Sequence, residues 1–288
     1  MRPIPLTWLY VPGDRPEVVA KALAAGADVV VVDLEDAVAP DRKEYARAAT
    51  AELLAKAPPV PVHVRVNALG TPLSDADLAA LAPLPGLSGL RLPKVNDPAD
   101  VVRAAERAAP AEGGAPALYA LIESALGVER AYAIATAHPA LRGLSLGEAD
   151  LRADLGVREE PGLDWSRSRV VVAARAAGLP PPPQSVHPDI RDLEGLAASC
   201  ARGRALGFLG RAALHPRQLP VIERAYLPTP EEVERAEAVL RAAEAHPGAQ
   251  ALPGGQFIDQ AVAEQARRTL ALARRQRPEE ARPATTAP

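Results

Sequence analysis

Cysteine is almost absent from this chain of 288 residues, because Cys200 is the only one. A single cysteine excludes a disulfide within the chain, and a reducing compartment is the simplest explanation of so low a count. We therefore expect Cys200 to be a packing residue. The chain also lacks an excess of basic residues, since its formal net charge is −3. This balance argues against a nucleic-acid-binding protein.

Long apolar runs are missing as well. No run approaches the about eighteen residues that a membrane-spanning helix needs. The opening residues, MRPIPLTWLYVPG, lack the charged head and long apolar stretch of a signal peptide. We expect a soluble cytoplasmic protein that has no membrane and no nucleic acid as a partner. A Gly-rich nucleotide-binding loop is absent too, because residues 11–17, after the first predicted strand, read VPGDRPE.

Short β-rich runs alternate with alanine-rich stretches whose apolar residues recur at helical spacing. The pattern predicts eight strands, at 7–13, 28–36, 61–67, 87–95, 117–124, 141–150, 181–189 and 206–216. Strand, helix and strand joined by short connections indicate a parallel sheet with right-handed crossovers. Eight such units within residues 1–220 favour an α/β fold of the closed (β/α)8 TIM-barrel type. A doubly wound open sheet is the alternative.

Residues typical of helix ends support these boundaries. Ser74 and Asp97 stand at expected N-caps, whereas Gly26 and Gly178 stand at expected C-terminal ends of helices. Each of the four lies beside a stretch of helical spacing. We therefore expect helices to begin or end at these positions.

The organisation changes in the C-terminal part of the chain. Amphipathic patterns predict a helix over 230–245 that starts from Thr229, and a final helix over 260–275. Together they form a predicted helical extension over 221–275. The tail 276–288 is rich in proline and poor in apolar residues, so we expect it to be disordered.

Acidic residues close three of the apolar runs, over 29–38, 118–127 and 141–151. A barrel places its functional residues at the carboxyl ends of its strands. The polar residues predicted at that face are Asp14, Arg15, Asp33, Glu35, Asp36, Arg65, Asn67, Lys94, Glu123, Glu148, Asp150, His187 and His215. The sequence therefore predicts one shared site there.

Glu123 and Asp150 come from neighbouring predicted strands, so they can converge on one point. Two close carboxylates repel each other unless a cation lies between them or one is protonated. Mg²⁺ is commonly held by one or two carboxylates with waters and substrate oxygens. Zinc fits less well, because no Cys and His cluster has ligand spacing. Alone, Glu123 could equally be a solvated strand end.

Arg65 is informative through the alternation of side chains in PVHVRVN, residues 61–67. The valines take one face and pack against helices, so His63 and Arg65 point into the barrel. A buried arginine needs an anion beside it. A substrate carboxylate or carbonyl is one candidate partner, and Asp33 or Glu35 is the other. His63 lies deeper and is expected to be a hydrogen-bonded core residue.

Other strand-end residues have open roles. The acids of DLEDAV can orient Arg65, hold metal-bound waters or cap the next helix; they are Asp33, Glu35 and Asp36. Lys94 is either an amine nucleophile for Schiff-base chemistry or, if a metal is present, an ion-pair partner of the acids. We expect structural roles for His187 and His215, which both precede proline.

Several segments together resemble the citrate lyase beta subunit and its stand-alone relatives, over about residues 6–270. They are LYVPGDRPEVVAKALAAGADVVVVDLEDAV, HVRVNA, LRLPKV, LIESALG, GEADL, GFLGRAALHPRQ and GGQFID. The resemblance implies a (β/α)8 barrel of the aldolase superfamily, Mg²⁺ as cofactor and a homotrimer. Two departures are Ser124, where many relatives have threonine, and Ala149, where many have asparagine or glutamate.

The resemblance also assigns roles to residues. Arg65 matches the arginine that binds substrate oxygens, and Glu123 matches a metal ligand that also touches substrate. Asp150 matches the second metal ligand. Asp259 matches an aspartate that reaches into a neighbouring subunit's site as acid or base. The extension 221–275 is thereby implied to contribute to that neighbouring site.

The implied activity is Mg²⁺-dependent cleavage or formation of a carbon–carbon bond in a 3-hydroxyacyl thioester such as citryl-, citramalyl- or malyl-CoA. The products of cleavage are an oxo-acid and an acyl-CoA. Alternatives are a beta subunit that acts on an acyl-carrier-protein thioester, or an aldolase on free oxo-acids. From another class, the chain could be a non-catalytic binding protein that keeps the barrel as a scaffold.

Overall fold

The computed structural model describes residues 4–109, 115–245, 250–251 and 257–276. The chain divides into two compact units. The first is Pro5–Tyr226, and the second takes in Ile4 and the described residues from Leu227 onward. The tail predicted to be disordered lies outside the described residues after residue 276. No helix among the described residues is long and apolar enough to cross a membrane.

Seven parallel strands form the curled sheet of the first unit. They are β1 (Thr7–Pro12), β2 (Val29–Asp33), β3 (Val62–Arg65), β4 (Leu87–Leu92), β5 (Leu118–Ile122), β6 (Leu141–Leu146) and β7 (Arg211–Ala213). Their order is β6-β5-β4-β3-β2-β1-β7. Sequential neighbours on one parallel sheet are the arrangement that repeated strand–helix–strand units produce. The α/β class and the parallel sheet are thus as the sequence predicted.

Helices connect these strands. In the first unit they are α1 (Pro16–Leu23), α2 (Lys43–Leu54), α3 (Pro72–Leu81), α4 (Pro98–Ala108), α5 (Ala125–Glu129), α6 (Ala131–Ala135), α7 (Glu148–Leu155), α8 (Asp164–Ala176), α9 (Leu193–Ala205) and α10 (Leu219–Tyr226). Their buried residues are mostly small or aliphatic, as in α4, where the buried residues are Val101 and three alanines. Such residues allow helices to approach a sheet closely, and that burial supplies the main driving force for the fold.

The predicted helix ends are only partly correct. Asp97 caps α4 and, with Asp100, forms a capping box. The prediction for Ser74 is wrong, because Thr71 is the N-cap of α3 and its hydroxyl accepts the Ser74 amide. Proline directly after Thr71 fits the first helical turn, where its missing N–H is not needed. Gly178 has a positive φ of 74° just beyond α8, as a helix C-terminus requires.

The observed strands are all shorter than the predicted runs, and two of these differences bear on the site. The run 141–150 ends as a strand at Leu146, and α7 begins at Glu148. The run 181–189 contributes a single parallel bridge from Gln184 to Arg211, because the prolines before Gln184 cannot donate to a ladder. Among the described residues no ladder joins β6 to this segment, although the Glu148 amide donates to Ser185 Oγ at 3.3 Å.

The inner face of the sheet is filled by large side chains. Trp8, Val29 and Val31 form one cluster with Tyr10, while Leu9 and Val30 lie on the other face, as strand alternation requires. One layer along, His63 stacks on Tyr119 with ring centroids 4.5 Å apart.

The Tyr119 ring occupies space that two glycines leave free. A Cβ at Gly89 would lie 2.7 Å from its ring, and one at Gly143 would lie 3.1 Å away. His63 is a buried core residue, as predicted, but its Nδ1 has no hydrogen-bond partner, so the predicted hydrogen bonding is not found at that nitrogen. Burial holds the pKa of the imidazole well below its usual value.

The second unit contains α11 (Pro230–Ala245) and α12 (Gln260–Ala273), with the short antiparallel pair β8 (Gln250–Ala251) and β9 (Phe257–Ile258). Its small core includes Ala236, Val239 and Ile258. Thr229 caps α11 as predicted, because its hydroxyl accepts the Glu232 amide and its own amide donates to the Glu232 carboxylate.

Candidate active site

A cavity of about 520 Å³ opens at the carboxyl ends of the strands in the first unit. Residues that end or follow six different strand segments line it, including Asp33, Arg65, Glu123, Asp150, Ser185 and Leu214. This is the face on which a parallel α/β sheet places ligand sites. Three of the four residues that the sequence singled out, Arg65, Glu123 and Asp150, therefore share one cavity.

Glu123 follows β5 directly and is only 5% exposed. One carboxylate oxygen, Oε2, accepts the Lys94 amide at 3.0 Å. Burial, together with the nearby charges of Glu35 and Asp150, raises the pKa of Glu123 to about 7. Few positive groups therefore compensate the negative charge of this carboxylate. A buried acid with a strongly raised pKa is a feature of functional sites.

Lys94 supports this carboxylate through an unusual backbone. It has a φ of 53°, the only positive value at a non-glycine residue in the described chain, and such a conformation costs about 1–2 kcal/mol. Its ammonium is paired with Glu35 and lies 3.6 Å from Asp36. Of the two predicted roles of Lys94, the structure thus favours the ion pair over the free amine.

Asp150 stands in the first turn of α7 and not at the end of a strand as predicted. Asp150 is exposed and lines the cavity. Its negative charge contributes to the raised pKa of Glu123. The neighbouring acid Glu148 is held differently, because Arg167 donates two hydrogen bonds to its carboxylate, at 2.9 and 2.6 Å. Glu148 is therefore committed to an ion pair, while Asp150 makes none among the residues described here.

Arg65 points into the cavity, as the alternation in β3 predicted. Its Nε and Nη2 donate to the two oxygens of Asp33 at 2.8 and 2.6 Å. Nη1 lies 3.0 Å from Glu35 and 3.5 Å from Asp36. These charge-assisted contacts raise the pKa of the Arg65 guanidinium above its usual value, against the opposing effect of burial. The acids of DLEDAV thus orient Arg65, which is one of the three roles left open for them.

The charges around Arg65 do not cancel completely. Burial raises the pKa of Glu35 even though Arg65 and Lys94 oppose the shift. Lys43, which the sequence analysis did not single out, donates to the backbone carbonyls of Leu34 and Glu35. Burial lowers the pKa of its ammonium. A lysine at the start of a helix gives no sequence signal for this role.

The histidines that precede proline differ in their contacts. His215 Nδ1 accepts the Arg217 amide at 3.1 Å and so caps a short helical turn. His187 lies 3.6 Å from Asp192. Cys200 is buried and free, as expected of a packing residue. None of these residues lines the cavity.

The oxygen donors of the cavity suit a hard divalent cation. Within the described ranges no group of three or more His, Cys, Asp or Glu side chains is arranged to hold a metal. Mg²⁺ does not need such a cage, since one or two carboxylates with waters and substrate oxygens suffice. Glu123 and Asp150 provide such a pair, and a cation between them would relieve the unfavourable charge that raises the pKa of Glu123.

Metal binding at this pair is expected to depend on pH. Because the pKa of Glu123 is about 7, protons compete with the cation below that value. The Mg²⁺ affinity should therefore rise by up to about tenfold per pH unit towards pH 7 and level off above it. Calorimetric Mg²⁺ titrations between pH 5.5 and 8.5 test this. An affinity that does not change over that range would contradict it.

Gly147 is a second residue that the sequence analysis missed. A Cβ at this position would overlap Cγ and Oε1 of Glu123. Gly147→Ala is therefore expected to displace the carboxylate and weaken Mg²⁺ binding by about tenfold or more, while the helices and sheet remain. Gly26→Ala is the control away from the site: its φ of 85° makes alanine strained there, but a Cβ meets no atom within 4 Å, so the Mg²⁺ affinity should not change. Equal Mg²⁺ affinity in both variants would contradict this expectation.

Asp259 belongs to the second unit. It is the N-cap of α12, and its carboxylate accepts the Val262 amide at 2.9 Å. Capping alone accounts for an aspartate at this position.

A family model described as HpcH/HpaI aldolase/citrate lyase matches residues 6–216. A relative named (3S)-malyl-CoA thioesterase, from Cereibacter sphaeroides, is 36% identical over 274 residues, which cover 92% of this chain and 93% of the relative.

Two solved structures from Mycobacterium tuberculosis are also similar. Protein CitE in complex with magnesium, acetoacetate and coenzyme A has a TM-score of 0.79 and 37% identity, covering 95% of this chain and 99% of its own. The citrate lyase beta subunit complexed with oxaloacetate and magnesium has a TM-score of 0.66 and 36% identity, covering 78% of this chain and 97% of its own.

Proposed function

The chain belongs to the HpcH/HpaI aldolase/citrate lyase family, and on this premise we propose that it is a Mg²⁺-dependent carbon–carbon lyase. Its substrate is a 3-hydroxyacyl thioester such as citryl-, citramalyl- or malyl-CoA. The enzyme cleaves this thioester to an oxo-acid and an acyl-CoA, or catalyses the reverse condensation. The convergence of Arg65, Glu123 and Asp150 on one cavity carries the proposal. The similar structures with bound magnesium, oxo-acids and coenzyme A support it. We also propose that the sheet closes as an eight-stranded barrel.

Glu123 and Asp150 hold the cation in this proposal. A Mg²⁺ ion held by these two carboxylates would supply Lewis acidity for the oxo-acid. Arg65 binds oxygens of the oxo-acid through N–H groups that its acidic neighbours leave free, because a guanidinium carries five donors. Asp33 and Glu35 keep Arg65 in place.

In cleavage a base takes the proton of the 3-hydroxyl, C3 becomes the keto carbon of the oxo-acid, and the C2–C3 bond breaks. Its electron pair stays with C2, so the other product is a thioester enolate. Asp259 of a neighbouring subunit in a homotrimer protonates C2 of that enolate, and in synthesis removes the same proton. The helical extension brings Asp259 to the neighbouring site. The match of Asp259, in the segment GGQFID, to the aspartate of the citrate lyase beta relatives supports this role.

Hydrolysis of the thioester is a second candidate activity. The thioesterase named among the relatives favours it. The same cavity then accepts malyl-CoA, and water attacks the thioester carbonyl. Action on an acyl-carrier-protein thioester and aldol chemistry on free oxo-acids are further alternatives.

The proposal is tested with malyl-, citramalyl- and citryl-CoA, each incubated with and without Mg²⁺. Release of an oxo-acid together with an acyl-CoA, abolished by EDTA, is expected for the lyase. Release of free CoA with a 3-hydroxy acid would instead identify a thioesterase. Turnover that is unchanged in EDTA, or no turnover of any thioester, would contradict the proposal.

The role of Asp259 is tested by mixing two inactive variants. Glu123→Gln removes the metal site and Asp259→Asn removes the acid, so neither homotrimer should turn over a thioester. Subunits exchanged between them should regain activity, because some sites then combine an intact Glu123 with an intact Asp259 from a neighbour. No recovery in demonstrably mixed trimers would place Asp259 outside the neighbouring site.

A further inference from the structure

Arg91 lies on the inner face of β4, at the floor of the cavity. It is paired in register with Arg65 on one side and with Tyr119 on the other. The residue is only 2% exposed, yet it is one of the residues that line the cavity. A charged side chain so deep in a fold needs an explanation, because desolvating a guanidinium is costly.

The contacts of Arg91 do not balance its charge. Nη1 donates to Ser145 Oγ at 3.2 Å, and Nε is buried without a hydrogen-bond partner. The guanidinium lies 5.6–5.9 Å from the ring centroids of Trp8, Tyr10 and Tyr119, near the outer limit of a cation–π contact. In the described part of the chain, Arg91 forms no ion pair with a carboxylate.

Two other arginines in the same unit are paired with acids: Arg65, which lines the cavity, and Arg167, which binds the lining residue Glu148. Each of them is held by three carboxylates. Buried charges in proteins are generally paired. Among the described residues, Arg211 is also buried without a carboxylate partner, but its guanidinium hydrogen-bonds to Gln184 and Ser199 away from the cavity. The guanidinium of Arg91 lines the cavity, so an anion that enters from outside the chain could pair with it.

The distance along the strands from Glu123 to the Arg91–Ser145 contact is close to the length of a short substrate. Ser145 is level with Leu121 in the ladder, which is two residues before Glu123. At about 3.3 Å per residue, the Arg91–Ser145 contact lies about 7 Å below the level of Glu123. This spacing matches a short dicarboxylic acid whose keto-acid end is at Glu123 and whose second carboxylate points to the floor.

We propose that Arg91 and Ser145 form an anion subsite that binds the second carboxylate of a dicarboxylic oxo-acid. This inference rests on the lyase activity proposed above and narrows its substrate class. The preferred thioester then carries a carboxylate and a carboxymethyl group at C3, as in the citryl type. Substrates with a methyl group or hydrogen in place of the carboxymethyl group, the citramalyl and malyl types, leave the guanidinium of Arg91 without its anion.

Calorimetric titration of the full chain with oxaloacetate and with pyruvate, each in the presence of Mg²⁺, tests the subsite. Wild-type protein should bind oxaloacetate more tightly. Arg91→Met should weaken oxaloacetate binding by about 30-fold and change pyruvate binding by less than about threefold, as loss of one charged hydrogen-bond partner predicts. Arg91→Lys, which keeps the charge, should retain part of the preference.

Arg211→Met is the matched control. Arg211 is also buried, with a Nε that has no partner, but it hydrogen-bonds to Gln184 and Ser199 and does not line the cavity. The Arg211→Met variant should prefer oxaloacetate over pyruvate to the same extent as the wild-type protein. Magnesium binding without an oxo-acid reports whether each variant is folded.

The outcomes separate the two proposals. Equal binding of both oxo-acids by the wild type, or equal losses for both in Arg91→Met, would overturn the subsite and leave the lyase proposal standing. No binding of either oxo-acid to wild-type protein with Mg²⁺ would overturn both.

Discussion

Glu123→Gln is expected to reduce Mg²⁺-dependent turnover by about a thousandfold or more, because the Lewis-acid contribution of a bound cation amounts to several kcal/mol. The substitution keeps the shape of the side chain, and the amide oxygen can still accept the Lys94 amide that now holds Oε2. The loss should therefore come from the missing charge. Steady-state kinetics with the preferred thioester and Mg²⁺ calorimetry measure the effect.

The same variant should gain stability in the absence of metal. Folding raises the pKa of Glu123 from an ordinary 4.5 to about 7, so the folded state favours the protonated group. Stability is then lost as the pH rises from 4.5 to 7, and at pH 8 the loss amounts to about 3 kcal/mol. A neutral glutamine removes this loss.

Thermal denaturation at pH 8 in EDTA should consequently show a higher Tm for Glu123→Gln than for wild type. Added Mg²⁺ should raise the wild-type Tm and leave that of the variant unchanged. Asp36→Asn, a change at an exposed acid near the same site, serves as the control and should respond to Mg²⁺ like wild type. A full Mg²⁺ response in Glu123→Gln would refute its role as a ligand.

Asp33→Ala should have the largest effect on stability. The Asp33 carboxylate is 2% exposed and accepts four hydrogen bonds, two from Arg65 and one each from the amides of Glu35 and Ala37. Its removal leaves a buried guanidinium with weaker partners. We expect a loss of about 3 kcal/mol in the free energy of unfolding, or roughly 6–12 °C in Tm for a unit of this size.

A double-mutant cycle separates this ion pair from simple loss of packing. Asp33→Ala combined with Arg65→Met should be less destabilised than the sum of the single changes, because no unpaired charge remains. Urea denaturation of the four proteins gives the coupling energy. Additive losses would mean that the pair contributes little beyond packing. All three variants should lose turnover, since each disturbs Arg65.

The sequence predicted those parts of the site that follow from strand alternation. Arg65 was placed on the inner face because β3 alternates strictly, and the structure has it in the cavity. Glu123 was placed at a strand end because an apolar run stops there. Both inferences use only the period of the strand, which a single sequence reveals.

Other parts could not be derived in this way. Asp150 lies in a helix because β6 ends at Leu146, four residues earlier than the apolar pattern suggested, and the chain turns at Gly147. The need for glycine at 147 arises from Glu123, a residue 24 positions away on another strand. In the sequence, Arg91 is one residue of an ordinary predicted strand. That it lacks a carboxylate partner becomes visible only when all the side chains on the inner face of the sheet are considered together. Nor did local patterns suggest a catalytic use for Asp259, which only a resemblance supplied.

The layer around Tyr119 constrains how this protein can change over evolutionary time. A Cβ at Gly89 would overlap the ring and one at Gly143 would be in tight contact with it, so a side chain at either position is better tolerated once the aromatic ring has been replaced by a smaller group. The three positions lie on three successive strands and are distant in the chain. Mutations there should be individually deleterious and jointly acceptable, so that descendants of this sequence would show correlated replacements at 89, 119 and 143.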